Sequence, residues 1–81
     1  MERNIRLNWK ALVEEAIRLR KKQNLTQKQL AALAGVSSPT VVRFERRDKN
    51  ITLKNAFAIM ETLGLIDENI LAENAEEGTQ L

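Results

Sequence analysis

Cysteine and histidine are both missing from this 81-residue chain. Without cysteine there is no disulfide and no thiolate metal site. Without histidine the commonest catalytic base and the commonest metal ligand are gone. No Gly-rich phosphate loop and no carboxylate cluster suited to a cleft replaces them, so an enzyme, a metal site and a cofactor are not expected. No apolar run comes near the ~20 residues that span a bilayer. The opening "MERNIRLNWK" is charged and lacks the apolar centre of a signal peptide. The expectation is therefore a soluble cytoplasmic protein. Period-2 alternation is missing as well, apart from a faint trace in "NIRLNW". Proline occurs once, at Pro39, inside a stretch that otherwise reads as helix.

The length fits one domain with one small core. A deep cleft and a separate sensor domain are not expected at this length. The net charge of +2 hides an asymmetry. Residues 1–50 carry twelve Lys/Arg against five Asp/Glu, a net +7, whereas residues 51–81 carry Lys54 against six acids, a net −5. A basic body points to an anionic partner for one face.

Helical spacing runs through most of the chain. In "WKALVEEAIRLRKKQ" the apolar residues are Trp9, Leu12, Val13, Ala16 and Ile17, and Asn24 ends the helix. In "LTQKQLAALAG" Thr26 and Gln29 fit a capping box, Leu30, Ala31 and Ala34 face inward, and Gly35 stops the helix. A third helix is expected over "SPTVVRFERR", residues 38–47, with Ser37 or Ser38 as its cap. Pro39 falls in its first turn, where a missing N–H costs little, so the proline marks a start. Val41 and Phe44 face inward. Thr40, Arg43 and Arg47, spaced i, i+3, i+7, are expected to share the outward face. Thr52 caps a fourth helix with Leu53, Ala56, Phe57, Met60 and Leu63 inward and Gly64 at its end. Asp67 starts a short fifth helix, "ENILAEN", and "AEEGTQL" is expected to fray. The divisions are an N-terminal arm at 1–8, a domain at 9–71 and an acidic tail at 72–81.

A capped helix, a glycine, a short turn and a second capped helix outline a helix-turn-helix. The stretch "LTQKQLAALAGVSSPTVVRFERRDKNITLKNAFAIMETLGL" resembles the phage repressor and Cro-type, or XRE-type, DNA-binding family. The likeness covers roughly residues 9–71 and rests on "LTQ", Ala31, "AGVS", "SPTVVRFE" and a closing "TL...A..LGL" in order. It implies an all-α, compact five-helix bundle of the lambda-repressor-like type, with the helix-turn-helix at helices 2 and 3.

The resemblance also implies roles. Ser38, Pro39 and Thr40 open the recognition helix, where relatives touch bases or backbone, and Arg43 is one turn further on. An arginine there reaches guanine O6 and N7. Gln27, Lys28, Arg46, Arg47, Lys49 and Asn50 suit phosphate contacts. Ser38 is either a base contact or only a cap. Val42 either meets a thymine methyl or lies at the domain surface. Arg20 and Glu45 both lie beside apolar stripes, so a mutual salt bridge is the economical arrangement. Family members often pair such residues. "SSPT" departs from the long polar side chains relatives often carry there, which leaves Arg43 as the main long reader.

The expected function is a sequence-specific, double-stranded DNA-binding regulator. It would act as a repressor by occupancy, as a homodimer on a two-fold operator. Leu65, Ile66, Ile70 and Leu71 either form the dimer contact or close the monomer core. The second reading is an antitoxin that represses its own operon and binds a toxin protein through the acidic segment after Leu65. A third, a bridging module with little DNA affinity, fits the basic third helix poorly. The expected location is the bacterial cytoplasm or nucleoid.

Overall fold

The computed structural model describes residues 8–66. Four helices follow one another: α1 (Trp9–Lys22), α2 (Gln27–Ala34), α3 (Ser38–Glu45) and α4 (Leu53–Leu63). There is no strand among the described residues. The expected fifth helix, Ile70, Leu71 and the acidic tail lie outside the described residues.

Each helix starts on a side chain that can accept from its first turn. Asn8 accepts from the Ala11 N–H at 3.0 Å. Thr26 accepts from Gln29 N–H at 3.0 Å, and the Gln29 side chain answers with a bond from Thr26 N–H at 2.9 Å, a complete capping box. Ser37, not Ser38, caps α3, accepting from Thr40 N–H at 3.2 Å. Thr52 caps α4 through Asn55 N–H at 3.1 Å.

All four helices also stop in one way. A residue turns left-handed after the last turn, and the next N–H reaches back five residues. The turning residues are Asn24 (φ 59°), Gly35 (74°), Arg47 (65°) and Gly64 (84°). The closing bonds run from Leu25 N–H to Arg20 O (3.0 Å), Val36 to Ala31 (3.0 Å), Asp48 to Arg43 (3.1 Å) and Leu65 to Met60 (2.8 Å). Glycine takes this conformation without steric cost, whereas a residue with a Cβ gives up about 1–2 kcal/mol. Arg47 therefore carries a strain that Gly35 and Gly64 avoid.

This closure shortens α3. The expected helix over 38–47 ends at Glu45, because Arg47 leaves the helical region and Arg46 becomes the flanking residue. The expected outward face of Thr40, Arg43 and Arg47 is corrected with it. From Ser38 to Arg46 the exposed residues are Pro39, Arg43 and Arg46, spaced i, i+4, i+7.

The core comprises Val13 and Ala16 of α1, Leu30 and Ala31 of α2, Val41 and Phe44 of α3, and Ala56, Ile59, Met60 and Leu63 of α4. Packing runs between α2 and both α3 and α4, with α1 against α3 and α4. Ala31 and Ala16 let neighbouring backbones approach closely. Phe44 is fully buried and meets the Trp9 ring edge to face, with centroids 5.6 Å apart and planes at 87°. The Trp9 indole N–H is buried without a hydrogen-bond partner among the described residues. Leu53, expected inward, is 65% exposed, because it is the first residue of α4 and precedes the turn that meets the core. Leu65 and Ile66 are half-buried against the monomer's own core.

Candidate nucleic-acid interface

α3 is held by a junction of three helices on one carboxylate. Arg20 of α1 donates to Glu45 at the end of α3 from Nε (2.6 Å, to Oε2) and from Nη2 (3.2 Å, to Oε1). Its Nη1 donates to the Leu25 carbonyl at 2.8 Å. Gln27, the first residue of α2, donates from Nε2 to Glu45 Oε1 at 2.9 Å. The two charged side chains are only 12% and 9% exposed. An ion pair so far from water depends on satisfying every lone pair and proton nearby. The fork of Arg20 and the amide of Gln27 do that together. The junction sets both the tilt of α3 on α1 and its spacing from the start of α2.

The Gln27 amide, for which the resemblance implies a phosphate contact, thus donates to Glu45 inside the protein. The backbone N–H groups of the first turn of α2 have no intrahelical partner, and they form the positive end of the helix dipole. Neither α2 nor α3 carries an acid in its first turn to neutralise that end. Lys28 is exposed beside it.

On α3, Ser38 is half-buried and Pro39 exposed. The Thr40 hydroxyl is tied to Ser37 Oγ at 2.7 Å and is half-buried. Val42 is half-buried on the flank. Arg43, Arg46, Arg47, Lys49 and Asn50 are all exposed. Around the end of α3 they gather four cations within seven residues.

One residue there was missed by sequence reasoning. Asp48 accepts from Arg43 Nε at 3.2 Å through Oδ2, and from Asn50 N–H at 2.9 Å through Oδ1. Those bonds, the Asn50 one first, hold its carboxyl below its ordinary value of 3.8. It is therefore a charged acid amid cations, and its hold on them is in place above the usual carboxylate range and lost as pH falls through the lowered value. Its place five residues after Arg43 becomes a signal only once Arg47 is seen to turn left-handed. Gln27 likewise carried no mark of its bond to Glu45.

Among the described residues no group of side chains is placed to hold a metal ion. No described helix is long and apolar enough to cross a membrane.

Comparison with known proteins fits this geometry. The family model described as helix-turn-helix matches residues 17–71. A Haemophilus influenzae protein named as an uncharacterized HTH-type transcriptional regulator is 35% identical over 63 residues, which is 78% of this chain. The chain spans about 61% of that relative's length. The matched segment holds α2, the Gly35 turn and α3 in order, with the Arg20–Glu45 junction behind them, and the chain belongs to the helix-turn-helix family.

Proposed function

We propose that the chain binds double-stranded DNA sequence-specifically and regulates transcription, as a repressor that works by occupying its operator. The observation that carries this reading is α3 itself. Val41 and Phe44 are buried on one side, while Pro39, Arg43 and Arg46 are exposed on the other. A short helix fastened at its base and cationic along its free face suits the major groove. Arg43 is the base reader, with Ser38, Pro39 and Thr40 at the groove entrance. Arg46, Arg47, Lys49 and Asn50 grip phosphate on one side of α3. The first turn of α2, with Lys28 and the backbone of Gln27, does so on the other.

A single module reads few base pairs, so the working unit is a homodimer on two half-sites about 34 Å apart. Similarity to the Haemophilus influenzae protein named as an HTH-type transcriptional regulator supports the regulatory role.

Selection of bound sequences from a random duplex pool, at stated salt, tests this. The expected result is an enriched two-fold motif, and a pool left without enrichment overturns specific binding. Given a motif, Arg43→Ala should lose about 1–3 kcal/mol of discrimination at one base pair per half-site and leave the others alone.

A further inference from the structure

Three of the four helix closures place an apolar residue where the chain folds back. Leu25, Val36 and Leu65 are each partly buried against the core. Such a contact commonly accompanies this closure. At α3 the corresponding residue is Asp48, and the contact is polar instead. Its N–H bonds the Arg43 carbonyl at 3.1 Å, and its Oδ2 accepts from the Arg43 Nε at 3.2 Å. Its Oδ1 is held by Asn50 N–H at 2.9 Å. The carboxylate is therefore fixed by backbone on one side and faces the guanidinium on the other. The Arg43 side chain is 52% exposed, and its two terminal nitrogens bond nothing among the described residues.

We propose that Asp48 is a specificity-determining residue of the DNA-reading face, one that positions Arg43 without touching a base itself. This rests on the DNA-binding reading above. Held through Nε, Arg43 presents Nη1 and Nη2 end-on, the pair that matches guanine O6 and N7. Two effects sharpen the choice. A side chain already held loses less freedom when it meets guanine, so the correct base gains more. An arginine tethered to a carboxylate is also less free to swing onto a phosphate, the contact that rewards every sequence alike. Asp48 further repels the DNA backbone, which weakens binding to random duplex. An ion pair this exposed adds little to folding stability, so selectivity is where its effect should register.

The test is equilibrium binding of the full chain, at stated salt, to its selected duplex, to single-position variants of it and to random duplex. Asp48→Ala should keep its melting temperature and every base preference but one. At the pair read by Arg43 its discrimination should fall about two- to tenfold, and random duplex should bind more tightly. Asp48→Asn keeps an acceptor for Asn50 N–H and should move in the same direction. In an Arg43→Ala background, Asp48→Ala should still tighten random binding but no longer alter preference at that pair. A motif that survives Asp48→Ala and Asp48→Asn unchanged at the Arg43 position overturns the role of Asp48 and leaves the DNA-binding reading intact. The same loss with and without Arg43 also overturns it. A wild-type protein that enriches no motif overturns the DNA-binding reading, and the role of Asp48 with it.

Discussion

Glu45 does at the scale of one residue what a hydrophobic contact does elsewhere in the core: it ties α1, α2 and α3 together, but through directed bonds. Truncating Arg20 strands a carboxylate that is 9% exposed and leaves the Leu25 carbonyl without its charged donor. Arg20→Ala should cost about 2–4 kcal/mol. For a domain of this size that lowers Tm by upwards of roughly 10 °C, measured by thermal circular dichroism. An unchanged Tm would remove the junction from any account of stability. Arg47 offers the opposite case. Its φ of 65° suits glycine, and its side chain is exposed. Arg47→Gly should raise stability by about 0.5–1 kcal/mol in denaturant titration, while weakening binding to all duplex sequences alike. One residue would thereby hold a stability cost and the proposed phosphate contact together, and the two measurements separate them.

At the scale of elements, the starts of helices were legible and the ends less so. A cap is written in one side chain: Thr26, Ser37 and Thr52 each precede an apolar period and each accepts from the third residue on. Ser37→Ala should accordingly cost about 1 kcal/mol and show as lower helix stability on denaturant titration. Gly35 and Gly64 also announce their turns, because only glycine adopts a left-handed φ freely. Arg47 announces nothing, since arginine is a good helix former, so α3 read two residues too long and its outward face rotated toward Arg47. Leu53 misled in another way: its spacing matched the stripe of α4, but the first residue of a helix precedes the turn that meets the core. The Arg20–Glu45 pair was legible because a charge beside an apolar stripe demands a partner. Gln27 and Asp48 were not, because a polar residue on a polar face satisfies every sequence rule while leaving its partner undetermined.

At the scale of the whole molecule, the exposed cations Arg43, Arg46, Arg47 and Lys49 gather around the end of α3, and Lys28 is exposed at the start of α2. Binding there should be strongly salt-dependent. Arg46→Ala should flatten the slope of log K against log salt by about one unit while leaving the selected motif intact, as read by binding isotherms at several salt concentrations. The length of α3 then sets a limit of another kind. Eight residues make a rod about 12 Å long, which lies beside three or four base pairs. Four positions spell only about 256 distinct words, whereas a genome offers on the order of 10⁶–10⁹ competing addresses. One such helix, however well it is aimed, is ambiguous by construction. In the proposed homodimer the same word must occur twice, so a chance match falls from about one site in 256 to roughly one in 65,000 without lengthening the reader, and a base preference supplied by Arg43 would count twice.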